Sequence, residues 1–195
     1  MATLTREQYE RRLRGLRLLA TDVDGVLTDG SIAYTGADSE TKIFNVRDGS
    51  ALYIARVIGL PVLVVTARES AAVARRFSEL PVLRLQQATF DKVSACARVE
   101  AELGTDAATT VFLGDDLVDL PAMRRAGLGV AVADANRKVL AEADWVLSTP
   151  GGCGALRELV DDIVEARGLW EQVLADYQDR TGEGCGAEEQ DPGVG

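Results

Sequence analysis

Short apolar runs alternate along this chain with stretches whose apolar residues recur at helical spacing. The runs Leu18-Leu19-Ala20-Thr21, Val62-Leu63-Val64-Val65 and Val111-Phe112-Leu113 lack the polar-out alternation of a half-exposed strand. Strands buried on both faces of a parallel sheet read this way. The pattern predicts a helix over 5–14 and a strand over 16–22, then a β-hairpin over 30–44. A helix over 50–58, capped by Asp48 or Ser50, leads to a strand over 61–66. A helix over 69–79, a strand over 81–83 and a helix over 91–103 stopped by Gly104 follow. The strand that opens at Thr110 ends in the acids Asp115 and Asp116. A short helix over 119–123, a strand over 127–132, a helix over 136–142 and a strand over 144–147 complete the alternation. The amphipathic stretch 155–178 is helical with a break at Gly168.

Strand–helix alternation of this kind implies right-handed βαβ units. The expected fold is α/β: a doubly wound three-layer sandwich with a mostly parallel central sheet, a β-hairpin flap after the first strand and no cap domain. One domain is expected over 1–178. The glycine- and acid-rich residues 179–195 are expected to be a disordered tail.

Composition narrows the chemistry. The chain has 195 residues and no histidine. Histidine phosphatases, Ser-His-Asp hydrolysis and most zinc sites are thereby excluded. Acid–base work falls to carboxylates, lysine, tyrosine or cysteine. The three cysteines, Cys96, Cys153 and Cys185, are odd in number and widely spaced. They suit a reducing compartment, and a cytoplasmic location is expected. A net charge of −10 argues against nucleic acid as a partner. Met1 to Arg12 is polar and no run is long enough to span a bilayer, so neither a signal peptide nor a membrane partner is expected.

The candidate chemistry sits where apolar runs end. Asp22 and Asp24 close the first strand with one residue between them. Side chains two apart in a strand share a face, and two acids so close repel unless a cation joins them. A hard divalent ion such as magnesium is the simplest candidate. Thr66, Lys92 and the acids Asp115, Asp116 and Asp119 stand at the ends of later elements. In a doubly wound sheet all of these share one edge, the edge that binds ligands.

The run Asp22-x-Asp24-Gly25-Val26-Leu27-Thr28-Asp29, with Thr66, Lys92 and Gly114-Asp115-Asp116-x-x-Asp119, resembles the four motifs of the haloacid dehalogenase-like phosphatases. Phe44-Asn45-Val46-Arg47-Asp48-Gly49, Arg68-Glu69-Ser70, Arg76 and Gly151-Gly152-x-Gly154-Ala155-x-Arg157-Glu158 extend the likeness to the capless subfamily typified by 3-deoxy-D-manno-octulosonate 8-phosphate phosphatase. The resemblance implies a magnesium-dependent phosphomonoesterase with an aspartyl-phosphate intermediate. Asp22 would be the nucleophile and Asp24 the general acid and base. Magnesium would be held by Asp22, Asp115 and the backbone carbonyl of Asp24. Thr66 and Lys92 would bind the phosphate, and Asp116 and Asp119 would orient Lys92 or the waters of the metal. By resemblance, Asp24, Asn45, Arg47, Asp48, Gly49, Arg68, Arg76 and Lys92 surround a small phosphorylated sugar acid. The resemblance further implies a homotetramer, in which the 30–44 hairpin and the Gly151–Arg157 segment of neighbours close the site.

Two alternatives stay open. Tyr53 stands where the subfamily carries an arginine, which admits a nonulosonate 9-phosphate or another sugar phosphate as substrate. A non-catalytic relative serving assembly or regulation is the other class. Intact Asp22, Asp24, Thr66, Lys92 and Asp115 favour the enzyme.

Overall fold

The structure is a computed structural model that describes residues 4–36 and 39–182. Helix α1 (Arg6–Arg14) opens on Thr5, whose hydroxyl accepts from the Gln8 N–H while the Gln8 side chain returns to the Thr5 N–H. This reciprocal pairing satisfies two donors a helix start otherwise leaves orphaned. The chain then enters β1 (Leu18–Thr21) and an exposed hairpin, β2 (Ala33–Gly36) and β3 (Ser39–Thr41). Helix α2 (Val46–Val57) leads to β4 (Val62–Val65), α3 (Ala71–Phe77) and β5 (Arg84–Gln86). Next come α4 (Lys92–Leu103), β6 (Thr110–Gly114), α5 (Leu120–Arg125) and β7 (Leu128–Ala131). Helix α6 (Arg137–Glu142), β8 (Trp145–Val146), α7 (Ala155–Arg167) and α8 (Trp170–Gly182) finish the described chain.

Six strands form one sheet in the order β5-β4-β1-β6-β7-β8, and every adjacent pair is parallel. The chain winds outward from β1 to β5, crosses back, and winds outward again from β6 to β8. The order therefore reverses between β1 and β6. Thr21 pairs with Leu113, and the Asp22 N–H continues the ladder to the Leu113 carbonyl at 3.1 Å. This register brings Asp22 level with the end of β6, next to Asp115. Open α/β sheets bind ligands at such a reversal, beyond the carboxyl ends of the strands.

β1, β4, β6 and β7 are buried at every position, which explains their unbroken apolar character. Helices α1, α2 and α7 pack together on one side, and α4 and α5 pack together on the other. Helix α7 buries Leu156, Leu159, Val160, Ile163 and Val164, one stripe at helical spacing. Each such side chain contributes about 2 kcal/mol of burial. Leu156→Ala would remove about 3 kcal/mol, the transfer loss plus the cavity left behind.

The three largest boundary differences from the sequence reading fall at α2, β5 and α8. Helix α2 starts at Val46 with Asn45 as its cap, so neither Asp48 nor Ser50 opens it. The Asn45 side-chain oxygen accepts from the Arg47 N–H at 2.9 Å, and the helix nucleates there. Strand β5 lies at Arg84–Gln86, after the 81–83 run, because its ladder begins only where Leu83 donates to the Val62 carbonyl at 2.9 Å. Helix α8 continues through residues 179–182, and 183–195 lie outside the described residues.

Candidate active site

The site begins with a turn only glycine tolerates. After Asp22 and Val23 leave the sheet, Gly25 adopts a φ of +91°, and a Cβ there would overlap the Asp115 carboxylate. Glycine thus permits both the turn and the close approach of β6. A second close approach seats the loop before α7. The Gly152 N–H donates to the Val26 carbonyl at 2.9 Å, and a Cβ on Gly151 would overlap the Gly25 carbonyl. Cys153 is exposed in that loop.

Around the turn, four predicted residues converge. Lys92, in the first turn of α4, is buried, with Nζ 2.9 Å from Asp22 Oδ1 and 2.6 Å from Asp119 Oδ1. The approach to Asp22 is a close ion contact, while Asp119 receives an aligned hydrogen bond. The other oxygen of Asp119 accepts from the backbone N–H groups of Asp115 and Asp116 at 3.0 and 3.3 Å. Asp119 is fully engaged: it fixes Lys92 on one side and the acidic loop on the other. Asp116 does not share this role. Its side chain is exposed, and only its N–H takes part.

The carboxylates of Asp22, Asp115 and Asp119 place one oxygen each within 4.8 Å of one another. Burial, with Asp119 nearby, pushes the Asp22 carboxyl up to about 7. Burial, then Asp119 and Asp22, pushes Asp115 up to about 8. For Lys92, burial favours the neutral amine, but the Asp22 and Asp119 carboxylates outweigh it and its pKa rises. Asp115 Oδ1 is buried with no hydrogen-bond partner among the described residues. A cluster of hard oxygen donors with excess negative charge and an unpartnered buried oxygen fits a divalent cation. Both oxygens of Asp119 are taken by Lys92 and the loop, whereas Asp22 Oδ1 and Asp115 Oδ1 accept no hydrogen bond among the described residues.

Thr66 is buried at the carboxyl end of β4, beside β1. Its hydroxyl oxygen accepts from the Arg68 N–H at 3.3 Å. The segment 86–89 holds it from behind: Thr66 N–H donates to the Gln86 carbonyl and Thr89 N–H to the Thr66 carbonyl, at 2.9 and 3.0 Å.

Asp24 belongs to a separate network. One carboxylate oxygen pairs with the Lys42 ammonium, and the other lies 3.8 Å from Arg68 Nε. Arg68 Nη2 in turn donates to Glu40 Oε2 at 3.0 Å. The sequence reading did not identify Lys42 or Glu40 as site residues. The available signal was period two: Glu40, Lys42 and Phe44 share one face of the hairpin strand and its extension.

The remaining predicted residues gather at the start of α2. The Asn45 amide donates to the Gly152 carbonyl at 3.2 Å, tying the two loops together. The Arg47 side chain lies over Gly154. Arg76 of α3 crowds Gly49 and sits 6.0 Å from the centre of the Phe44 ring. Asp48 is buried, and Oδ1 accepts from the Arg157 N–H at 3.0 Å, which places the carboxylate on the α7 N-terminus. This segment lies next to Arg76.

A family model for haloacid dehalogenase-like hydrolases matches residues 67–151. A 3-deoxy-D-manno-octulosonate 8-phosphate phosphatase of Haemophilus influenzae is 38% identical over 159 residues, 82% of this chain and 88% of that protein. The Escherichia coli phosphatase of the same name is 38% identical over 83% of this chain and 86% of its own. Among solved structures, the Moraxella catarrhalis phosphatase in complex with magnesium, phosphate and KDO superposes with a TM-score of 0.85 at 34% identity, covering 89% of this chain and 100% of that one. The cobalt-bound Haemophilus influenzae phosphatase gives 0.79 at 38%, covering 84% and 99%. With that identity sustained across most of both chains, this protein belongs to the haloacid dehalogenase-like hydrolases, beside the 3-deoxy-D-manno-octulosonate 8-phosphate phosphatases.

Proposed function

We propose that the chain is a magnesium-dependent phosphomonoesterase acting on 3-deoxy-D-manno-octulosonate 8-phosphate. The observation that carries the reading is the Asp22–Lys92–Asp119–Asp115 cluster at the reversal of the strand order. Phosphoryl transfer is mostly positioning and charge stabilisation, and this cluster supplies both. In the first step a carboxylate oxygen of Asp22 attacks phosphorus, and the phosphorus–oxygen bond to the sugar breaks. Asp24 gives its proton to the departing alkoxide. In the second step Asp24 takes a proton from water, the water oxygen attacks phosphorus, and Asp22 is released with inorganic phosphate. Lys92 and the Thr66 hydroxyl hold phosphate oxygens, and the Ala67 N–H stands beside them. Asp22, Asp115 and the Asp24 backbone carbonyl would hold magnesium, which when bound would supply positive charge between nucleophile and phosphate.

Arg68, Arg76 and the Asn45–Gly49 segment form the sugar-acid side of this proposal, where guanidinium forks suit a carboxylate. The proposal gives Asp48 an indirect role there, through the α7 N-terminus it caps. The Tyr53 hydroxyl donates to the Glu79 carbonyl at 3.3 Å and brings no cation to the substrate side. A nonulosonate 9-phosphate is therefore the second substrate to test.

The proposal also has residues 4–182 act as one phosphatase domain, assembled as a cytoplasmic homotetramer. Tyr34 and Ile43 of the hairpin are 75% and 78% exposed, which supports burial against neighbouring copies. Light scattering that gives a monomer with full activity would remove the tetramer from the proposal. Among the described residues, no helix is long and apolar enough to cross a membrane.

The deciding experiment is phosphate release from sugar-acid phosphates and from neutral hexose phosphates, with magnesium and with EDTA. Expected are turnover of the octulosonate ester, its loss in EDTA and its loss in Asp22→Asn. An Asp22→Asn protein as active as the wild type would overturn the reading.

A further inference from the structure

Lys42 lies outside every residue set given a role above, yet its side chain is 0% exposed. It follows β3 in a hairpin whose own residues are almost all exposed. A buried ammonium is costly unless it is paired. Among the described residues, Asp24 is its one hydrogen-bond and ion-pair partner. The remaining contacts of Asp24 are weaker: Arg68 stands at 3.8 Å and is 44% exposed. Glu40, two residues from Lys42 on the same face, holds Arg68.

The two carboxylates of the Asp22-x-Asp24 run thus have separate buried lysines. Asp22 faces Lys92 and joins the acidic cluster with Asp115 and Asp119. Asp24 faces Lys42, and its carboxylate is not a member of that cluster. A small two-stranded hairpin has little stability of its own. Here it is joined to the body by Lys42 on Asp24, by Glu40 on Arg68, and by a T-shaped contact of the Phe44 and Phe77 rings, whose centres are 6.2 Å apart.

We propose that Lys42 is a positioning residue that pins the Asp24 side chain away from the metal cluster and toward the leaving oxygen, so that the hairpin holds the general acid and base in place. The proposal rests on the phosphatase reading above. It explains how two neighbouring acids take different roles: each is held by a different lysine from a different element. Positioning of this kind acts on proton delivery to the leaving group, so its effect depends on how much the leaving group needs a proton.

The test compares two esters on the full chain with magnesium: 3-deoxy-D-manno-octulosonate 8-phosphate, whose alkoxide needs protonation, and p-nitrophenyl phosphate, whose phenolate leaves without it. Lys42→Met should lower kcat for the sugar ester by about a hundredfold, the low end of a general-acid contribution. KM should stay close to the wild-type value, and the aryl ester should keep most of its rate. Lys42→Arg should recover part of the loss. In an Asp24→Asn background, Lys42→Met should add almost nothing, because both act through one group. Equal losses on both esters, or additive losses in the double variant, would overturn the positioning role. If Lys42→Met does not fold, as judged by circular dichroism, Lys42→Gln carries the same comparison. An unaffected variant of an active wild type sinks this inference alone. A wild type that hydrolyses neither ester sinks the phosphatase reading and this proposal with it.

Discussion

Asp48, in the first turn of α2, accepts a hydrogen bond from the backbone N–H of Arg157, in the first turn of α7, at 3.0 Å across 109 residues of sequence. The residue at the α7 cap position is Gly154, which has no side chain to offer. Asp48 supplies from outside the acceptor that a serine or asparagine would supply locally. It also brings a carboxyl to the positive end of the helix. The same loop carries Gly151 and Gly152 against the Gly25 turn, so this contact ties the start of α2 to the turn after β1.

Replacing Asp48 by alanine should therefore lower stability by about 1–2 kcal/mol, the usual cost of a lost cap. Asp48→Asn keeps the acceptor and should lose less. Burial, partly offset by the N–H groups of Arg157, Gly154 and Leu156, pushes the Asp48 carboxyl up to about 6. An acid with a raised folded pKa weakens the fold as pH climbs from its ordinary value toward the raised one. The asparagine variant, which cannot ionise, should show a flatter stability profile between about pH 4 and 6. Urea denaturation at a series of pH values reads both effects. A wild-type profile as flat as the variant's would remove Asp48 from this account.

Much of this was legible in the chain. The apolar runs around Leu19, Leu63 and Phe112 announce central strands because both faces are buried. Asp22, Thr66 and Asp115 follow directly on such runs, so their meeting at one edge follows from the parallel topology. What was illegible depends on tertiary contact. Asn45, Asp48 and Ser50 are all cap-type residues within one short window, and only the fold shows that Asp48 caps a helix elsewhere. Asp116 and Asp119 are equal as letters, but the turn after β6 aims only Asp119 at Lys92. Lys42 in a hairpin reads as solvent-exposed: period two groups it with Glu40 and Phe44 on one face, but only the fold shows that this face lies on Asp24.

The acidic cluster makes metal binding visible in stability. Asp22 and Asp115 have pKa values near 7 and 8, raised from an ordinary value of 3.8 by burial first and by neighbouring carboxylates second. Without a cation, their ionisation opposes folding progressively as pH rises from about 4 to about 8. The raised Lys92 pKa has the opposite sign, but its stability is present throughout this window and is lost only above the ordinary lysine range. Magnesium binds the ionised form, so its thermal shift should be small at pH 5 and large at pH 8. At a hundred times its dissociation constant, magnesium adds about 2.7 kcal/mol, which corresponds to several degrees in a chain of this length. Asp115→Asn should abolish most of the shift. A shift that is equal at both pH values, or unchanged in Asp115→Asn, would place the ion elsewhere.

Ala88 offers a test of how Thr66 is supported. It is the one non-glycine residue among those described with a positive φ, +50°. Its N–H donates to the Arg68 carbonyl at 3.2 Å, and its neighbour Thr89 donates to the Thr66 carbonyl at 3.0 Å. The strained turn is therefore part of the brace behind Thr66. An L-residue in this region costs roughly 1–2 kcal/mol relative to glycine. Glycine gives back some of that gain through the greater entropy of its unfolded chain, about 0.5–1 kcal/mol. Ala88→Gly should accordingly raise stability by about 0.5 kcal/mol with little change in turnover. Ala88→Val forces a β-branched side chain into the same region and should cost about 2 kcal/mol. Because the brace carries Thr66, the valine variant should also raise KM for phosphate esters more than it lowers kcat for p-nitrophenyl phosphate. Denaturant melts paired with steady-state kinetics measure both. A valine variant as stable and as tight-binding as the wild type would show that the turn relaxes freely and does not support Thr66.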